Sequence, residues 1–230
     1  MFFDPIYLLF MAPGLVLSLW ASFRTKRAFT KYSKVRSMNG YTGAQAARIM
    51  LDREGLHDVK ITRSHGLLSD HYNPATRSLA LSEAVYESPS VAAIGVATHE
   101  AGHAIQHAQH YKPLWLRSAL VPTANIGSSI GYFVMLMGLM FASQGMVLAG
   151  AVLFATVLLF QVVTLPVEFD ASARAKQLVV ANGIISPTER EGVDRVLNAA
   201  ALTYVAAVVS TLLTLLYFLV RAGLLGGRRD

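Results

Sequence analysis

Residues 118–167 read SALVPTANIGSSIGYFVMLMGLMFASQGMVLAGAVLFATVLLFQVVTLPV, with Arg117 before them and Glu168 after. No Asp, Glu, Lys or Arg interrupts the stretch. A helix rises about 1.5 Å per residue, and about 20 apolar residues cross a hydrocarbon core. The stretch is therefore long enough for two crossings, with Ala142-Ser143-Gln144-Gly145 as the turn between them.

Two further windows lack charge, one between Asp4 and Arg24 and one between Arg195 and Arg221. Together they predict four spans, at 5–23, 119–141, 146–166 and 200–220. Composition agrees: 53% of residues are hydrophobic, 15% are charged, and the mean hydropathy is +0.44. Buried core helices of soluble proteins are as apolar, but rarely lack every charge. The basic residues follow the first span instead of preceding it, which fits a retained anchor better than a cleaved signal. There is no cysteine, so nothing points to disulfides or thiol catalysis.

Charge also predicts orientation. Arg24, Lys26, Arg27, Lys31, Lys34 and Arg36 follow the first span, with no acidic residue until Asp52. The positive-inside rule places that end in the cytoplasm. Residues 24–117 and 167–199 then face the cytoplasm, and the turn at 142–145 faces outward. Arg228 and Arg229 in the tail run against this scheme but are outnumbered. A net charge of +6 could suggest nucleic acid. Beside a span, however, the partner of a basic cluster is the anionic lipid bilayer surface, and no nucleic-acid motif accompanies it.

In the polar parts, Thr42 with Gln45 resembles a capping box and predicts a helix over 43–54 that stops at Gly55. Val59-Lys60-Ile61-Thr62 and Ser78-Leu79-Ala80-Leu81-Ser82 alternate like strands of a small sheet, with turn chemistry at Asn73-Pro74. Ser90, after Pro89, opens a helix running to about His110, ahead of Lys112-Pro113. Glu100 and the histidines argue against this helix crossing a membrane.

That helix contains His99-Glu100-Ala101-Gly102-His103. Histidines at i and i+4 share one helix face and can bind one Zn²⁺. Glu100 beside the first ligand can take a proton from water that the metal acidifies, which is the arrangement for hydrolysing a peptide bond. Gly102 would let another segment approach the helix closely.

A catalytic zinc keeps three protein ligands and one open position. His107 is too far along the helix, about 12 Å beyond His99. Gln106 and Gln109 occupy the glycine and third-histidine places of the longer three-histidine pattern. Glu168 is the better candidate: two spans separate it from the motif helix, which returns it to the same membrane side. Its other reading is a helix-terminal acid that faces water or pairs with Arg174. His107 and His110 read as surface or supporting residues.

The segments His99-Glu100-Ala101-Gly102-His103-Ala104-Ile105-Gln106, Ser69-Asp70-His71-Tyr72-Asn73-Pro74 and Pro166-Val167-Glu168-Phe169-Asp170-Ala171-Ser172 together resemble the YugP-type neutral zinc metallopeptidases of bacterial membranes. The likeness covers nearly the whole chain. It implies a zinc peptidase with His99 and His103 as metal ligands, Glu100 as catalytic base and Glu168 as third ligand. A more distant resemblance is to HtpX-type peptidases and CAAX prenyl endopeptidases, whose Glu-x-x-Ala-Asp segment ends in aspartate where this chain has Ser172. Asp170 is then a neighbour of the site without an assigned role.

Asp70-His71-Tyr72 has two open readings: donors to the oxyanion of a tetrahedral intermediate, or an Asx-capped turn before the Leu79 strand. If Leu79-Ala80-Leu81 is an edge strand beside the motif helix, an extended peptide could pair with it.

The expected architecture is a mainly α membrane protein with about four transmembrane helices and a zincin-like cytoplasmic catalytic part containing a small β-sheet. Its divisions are a first span at 1–23, a catalytic part at 24–117 with the zinc helix at about 90–110, two spans within 118–166, a cytoplasmic segment at 167–199 bearing the third ligand, a fourth span at 200–221 and a tail at 222–230. The expected function is a multi-pass zinc endopeptidase of a bacterial-type inner membrane, its active site facing the cytoplasm and its substrates membrane or misfolded polypeptides. Competing readings are an intramembrane protease, a di-iron carboxylate bundle, which would need a second Glu-x-x-His, and a membrane adaptor with an idle metal site. His and carboxylate donors accept several divalent ions, and sequence leaves the natural substrate and oligomeric state open.

Overall fold

The computed structural model describes residues 5–66 and 69–225, so Asp4, Arg228 and Arg229 lie outside the described residues. Its long helices are α1 (Pro5–Tyr32), α7 (Gln144–Ala181) and α8 (Arg190–Arg221), and shorter ones are α2 (Gly43–Arg53), α3 (Glu83–Tyr86), α4 (Val91–Ala108), α5 (Lys112–Ile126) and α6 (Tyr132–Met140). A five-residue π turn, Gly127–Gly131, joins α5 to α6. Strands β1 (Lys60–Ser64), β2 (His71–Asn73) and β3 (Ser78–Ser82) complete the fold.

Four helical stretches among the described residues are long and apolar enough to cross a membrane: Pro5–Tyr32, Lys112–Met140, Gln144–Ala181 and Arg190–Arg221. Each helix outruns the apolar window that predicts it. α1 continues past Arg24, Lys26, Arg27 and Lys31 to Tyr32, and α8 begins ten residues before the predicted span at 200. Hydropathy marks where charge stops, whereas a helix ends where its backbone hydrogen bonding stops. Glu168 accordingly stands inside α7, and Gln144 starts that helix instead of closing the turn before it.

The chain divides into two compact units. The first comprises residues 1–21, 116–165 and 203–230. Within it α5 and α6 meet α7 backbone to backbone. A Cβ on Gly150 would lie 2.6 Å from the Met135 amide nitrogen, and one on Gly131 would lie 2.7 Å from that of Phe154. Where lipid supplies no hydrophobic drive between helices, small residues allow the close packing that holds them together. α1 meets α8 similarly. The Ser210 hydroxyl donates to the Gly14 carbonyl at 3.2 Å and lies 3.1 Å from the Ser18 hydroxyl, while Tyr7 and Tyr217 stack edge to face.

The second unit comprises residues 22–115 and 166–202. α4 runs through its core and is buried on nearly every side by Ala92, Ala93, Ile94, Ala97, Ala101 and Ile105. Its polar His99, Glu100 and His107 lie where the helix is only partly buried. Around it pack Met50 and Leu51 of α2, Leu79 and Leu81 of β3, and Val179, Val193 and Leu197 of α7 and α8. Each fully buried side chain of this size contributes roughly 1.5–3 kcal/mol. The capping box forms: Thr42 Oγ1 accepts from the Gln45 amide, and Gln45 Oε1 accepts from the Thr42 amide.

The sheet order is β1-β3-β2, with β1 parallel and β2 antiparallel to β3. Leu79-Ala80-Leu81 is therefore the central strand and not an edge. Its near-continuous burial reflects that position, because both neighbouring strands occupy its hydrogen-bonding sides. Asn73 Oδ1 accepts from the Ala75 amide at 2.9 Å, forming the turn between β2 and β3.

The glycine contacts in the first unit generate a paired expectation. Gly150→Leu should cost about 2 kcal/mol or more through overpacking. Gly145→Leu, where a Cβ meets nothing within 4 Å, should cost far less. Thermal unfolding in detergent measures both, and equal losses would refute backbone contact at Gly150.

Candidate metal centre

α4 begins at Ser90, whose hydroxyl accepts from the Ala93 amide at 3.2 Å. The helix then carries His99 and His103 on one face, their rings edge to face with centroids 4.8 Å apart. α7 lies against this face at Gly102, where a Cβ would come within 2.7 Å of the Ala171 carbonyl oxygen. The sequence expects a close neighbour at Gly102; it is α7.

That contact brings one turn of α7 onto the histidines. Glu168 Oε2 is 3.2 Å from His99 Nε2 and 3.6 Å from His103 Nε2. Ser172, one turn further on, places its Oγ 3.2 Å from His99 Nδ1. A single turn of α7 thus faces both nitrogens of one imidazole.

The donor atoms of His99, His103 and Glu168 all lie within 4.8 Å of one another, so one metal ion can reach all three. Atoms held about 2.0–2.1 Å from a tetrahedral zinc are roughly 3.3 Å apart. The two nitrogen–carboxylate distances bracket that value. Glu168 is 2% exposed and His103 7% exposed, so this negative charge is largely shielded from water. Burial opposes a charge on His103, but its contact with Glu168 and the negative charges of Glu100 and Glu168 outweigh that, raising its pKa.

His103 Nδ1 lies 3.0 Å from Gln106 Oε1. Gln106, wholly buried, donates through Nε2 to the Val167 carbonyl and to Asp170 Oδ2, both at 2.8 Å. Arg174 donates to the same Asp170 oxygen at 2.5 Å and to Gln109 Oε1 at 2.6 Å. Arg174 therefore pairs with Asp170, not with Glu168. In the sequence Gln106 figures only as the residue in the glycine place of the longer three-histidine pattern. Its place three residues after His103, on the same helix face, was the signal available.

The other candidates lie apart from this cluster. His107 Nδ1 is 2.9 Å from the Tyr72 hydroxyl, whose pKa burial pushes up. Asp70 accepts from the amide and hydroxyl of Ser82, tying the entry of β2 to the end of β3. Asp70 thus forms no local Asx turn; the Asx bond before β3 belongs to Asn73. His71 turns back to the Ser69 carbonyl at 2.8 Å, and His110 is exposed with φ of 53°. Among the described residues the Glu100 side chain has no hydrogen bond or ion pair, although its charge acts on His103.

Comparison with known proteins agrees with this chemistry. The chain is 46% identical over 213 residues to a protein of Bacillus subtilis (strain 168) named "Putative membrane protease YugP", covering 93% of this chain and 95% of that one. No solved structure matches. Residues 7–223 match the family described as "Putative neutral zinc metallopeptidase", and the chain belongs to that family.

Proposed function

We propose that this protein is a zinc-dependent endopeptidase of a bacterial-type inner membrane, hydrolysing membrane or misfolded polypeptides at the cytoplasmic face. The observation that carries this reading is the convergence of His99, His103 and Glu168, from helices far apart in sequence, within 4.8 Å. In this reading the imidazole Nε2 atoms and the Glu168 carboxylate would hold the zinc. Zinc bound there supplies a Lewis acid that acidifies water and polarises the scissile carbonyl. Glu100 takes the proton of the attacking water and passes it to the leaving amine. Its carboxylate is free of competing partners among the described residues, which suits that task.

The cytoplasmic orientation is supported by Lys26, Arg27, Lys31 and Lys34, which belong to the same unit as the three ligands. The spans tether the site to the bilayer, so its substrates are polypeptides that reach it there.

Glu100→Gln should retain zinc and lose about 10²–10⁴-fold in turnover of an unfolded protein substrate such as casein. Equal degradation by wild type and variant disproves the assigned base. Glu168→Ala should lower the zinc content of purified protein, measured by atomic emission; unchanged zinc removes Glu168 from the ligand set.

Orientation is testable because the chain contains no cysteine and Met38 is 75% exposed. A Met38→Cys variant should react with a membrane-impermeant maleimide in inverted vesicles and not in intact cells. The opposite pattern would place the site outside.

A further inference from the structure

We infer that Gln106 is a positioning residue that fixes the tautomer of His103, and that Asp170 acts on the metal centre only through Gln106. This rests on the reading of His103 as a zinc ligand and extends it to two residues that do not touch the ion.

A primary amide has one end that only accepts and one that only donates. The nitrogen end of Gln106 faces two acceptors, the Val167 carbonyl and Asp170 Oδ2, both at 2.8 Å. Reversing the amide would set its oxygen against both of them in a buried site, leaving polar groups unpaired at about 1–3 kcal/mol each. The oxygen end is thereby held toward His103 Nδ1, at 3.0 Å. An oxygen without a proton can only accept, so Nδ1 carries the hydrogen and the lone pair of the neutral ring lies on Nε2, toward Glu168. A flipped amide would instead donate to Nδ1 and move the ring proton to Nε2, where it would block ligation. Asp170 is itself held by Arg174 at 2.5 Å, so the chain of orientation runs Arg174, Asp170, Gln106, His103.

His99 is held differently. Its Nδ1 faces the Ser172 hydroxyl, which both donates and accepts and so leaves the tautomer open. The amide at His103 is the stricter control.

The test is zinc affinity by chelator competition on full-length protein in detergent, together with the visible spectrum of the cobalt(II)-loaded protein. Gln106→Ala and Asp170→Ala should each weaken zinc binding about 10–100-fold and alter the cobalt bands. Asp170→Asn, which keeps an acceptor oxygen for Gln106, should retain most of the affinity. In the double variant Asp170→Ala should add almost nothing to Gln106→Ala, because both act through one contact.

Wild-type affinity in Gln106→Ala overturns the inference. Additive losses in the double variant overturn the role given to Asp170. Should Gln106→Ala fail to fold, the Asp170→Ala and Asp170→Asn pair still decides, since equal losses in both would refute an effect exerted through the acceptor oxygen. His103→Ala separates the two levels. Unchanged zinc binding there sinks the ligand assignment and this inference with it, whereas loss there with full binding in Gln106→Ala sinks this inference alone.

Discussion

The candidate centre depends on the burial of one negative charge. Glu168 sits within α7 at 2% exposure, where an ionised carboxylate has lost nearly all its water. Such a charge persists in a folded protein only when paired. Two imidazoles from a second helix stand against it with room for one cation among the three, which ties that helix pair together where α4 and α7 meet at Gly102. Placement of Ser172, Gln106 and Asp170 around the histidines follows from that approach, because all of them lie within a turn or so of the contact.

The two helices contribute different things. α4 is a core rod of alanines interrupted by a polar face, and its position is set by packing on every side. α7 brings the carboxylate and most of the groups that hold the imidazoles, spaced by its own turns at 168, 170, 172 and 174. The regular rise of a helix makes that spacing rigid. Loops would hold the same groups less firmly.

Much of this was legible in the chain itself. Charge-free windows mark membrane helices because a charge in hydrocarbon is costly, and the i, i+4 histidines mark a shared face because helical geometry is fixed. Glu168 could be chosen by counting crossings. The legibility stopped where three-dimensional packing decides. Nothing local distinguishes Leu79-Ala80-Leu81 as a central strand from an edge, since β2 is only three residues long and carries no alternation of its own. Gln106 read as a departure from a longer motif, because its partners on α7 are sixty residues away in sequence. Ser172 likewise looked like a lost aspartate, yet its hydroxyl still reaches His99.

Gly102 has a bearing on how sequences of this kind are compared. A pattern written His-Glu-x-x-His leaves its two middle positions unrestricted. Here Ala101 is wholly buried, and Gly102 has no room for even a methyl group against the Ala171 carbonyl. A chain carrying both histidines and the glutamate, but a larger residue at the second middle position, would satisfy the pattern and still be unable to seat α7 as it is seated here. For proteins built on this helix pair, the informative signature extends to the glycine, and searches that require it will discard matches that share only the letters.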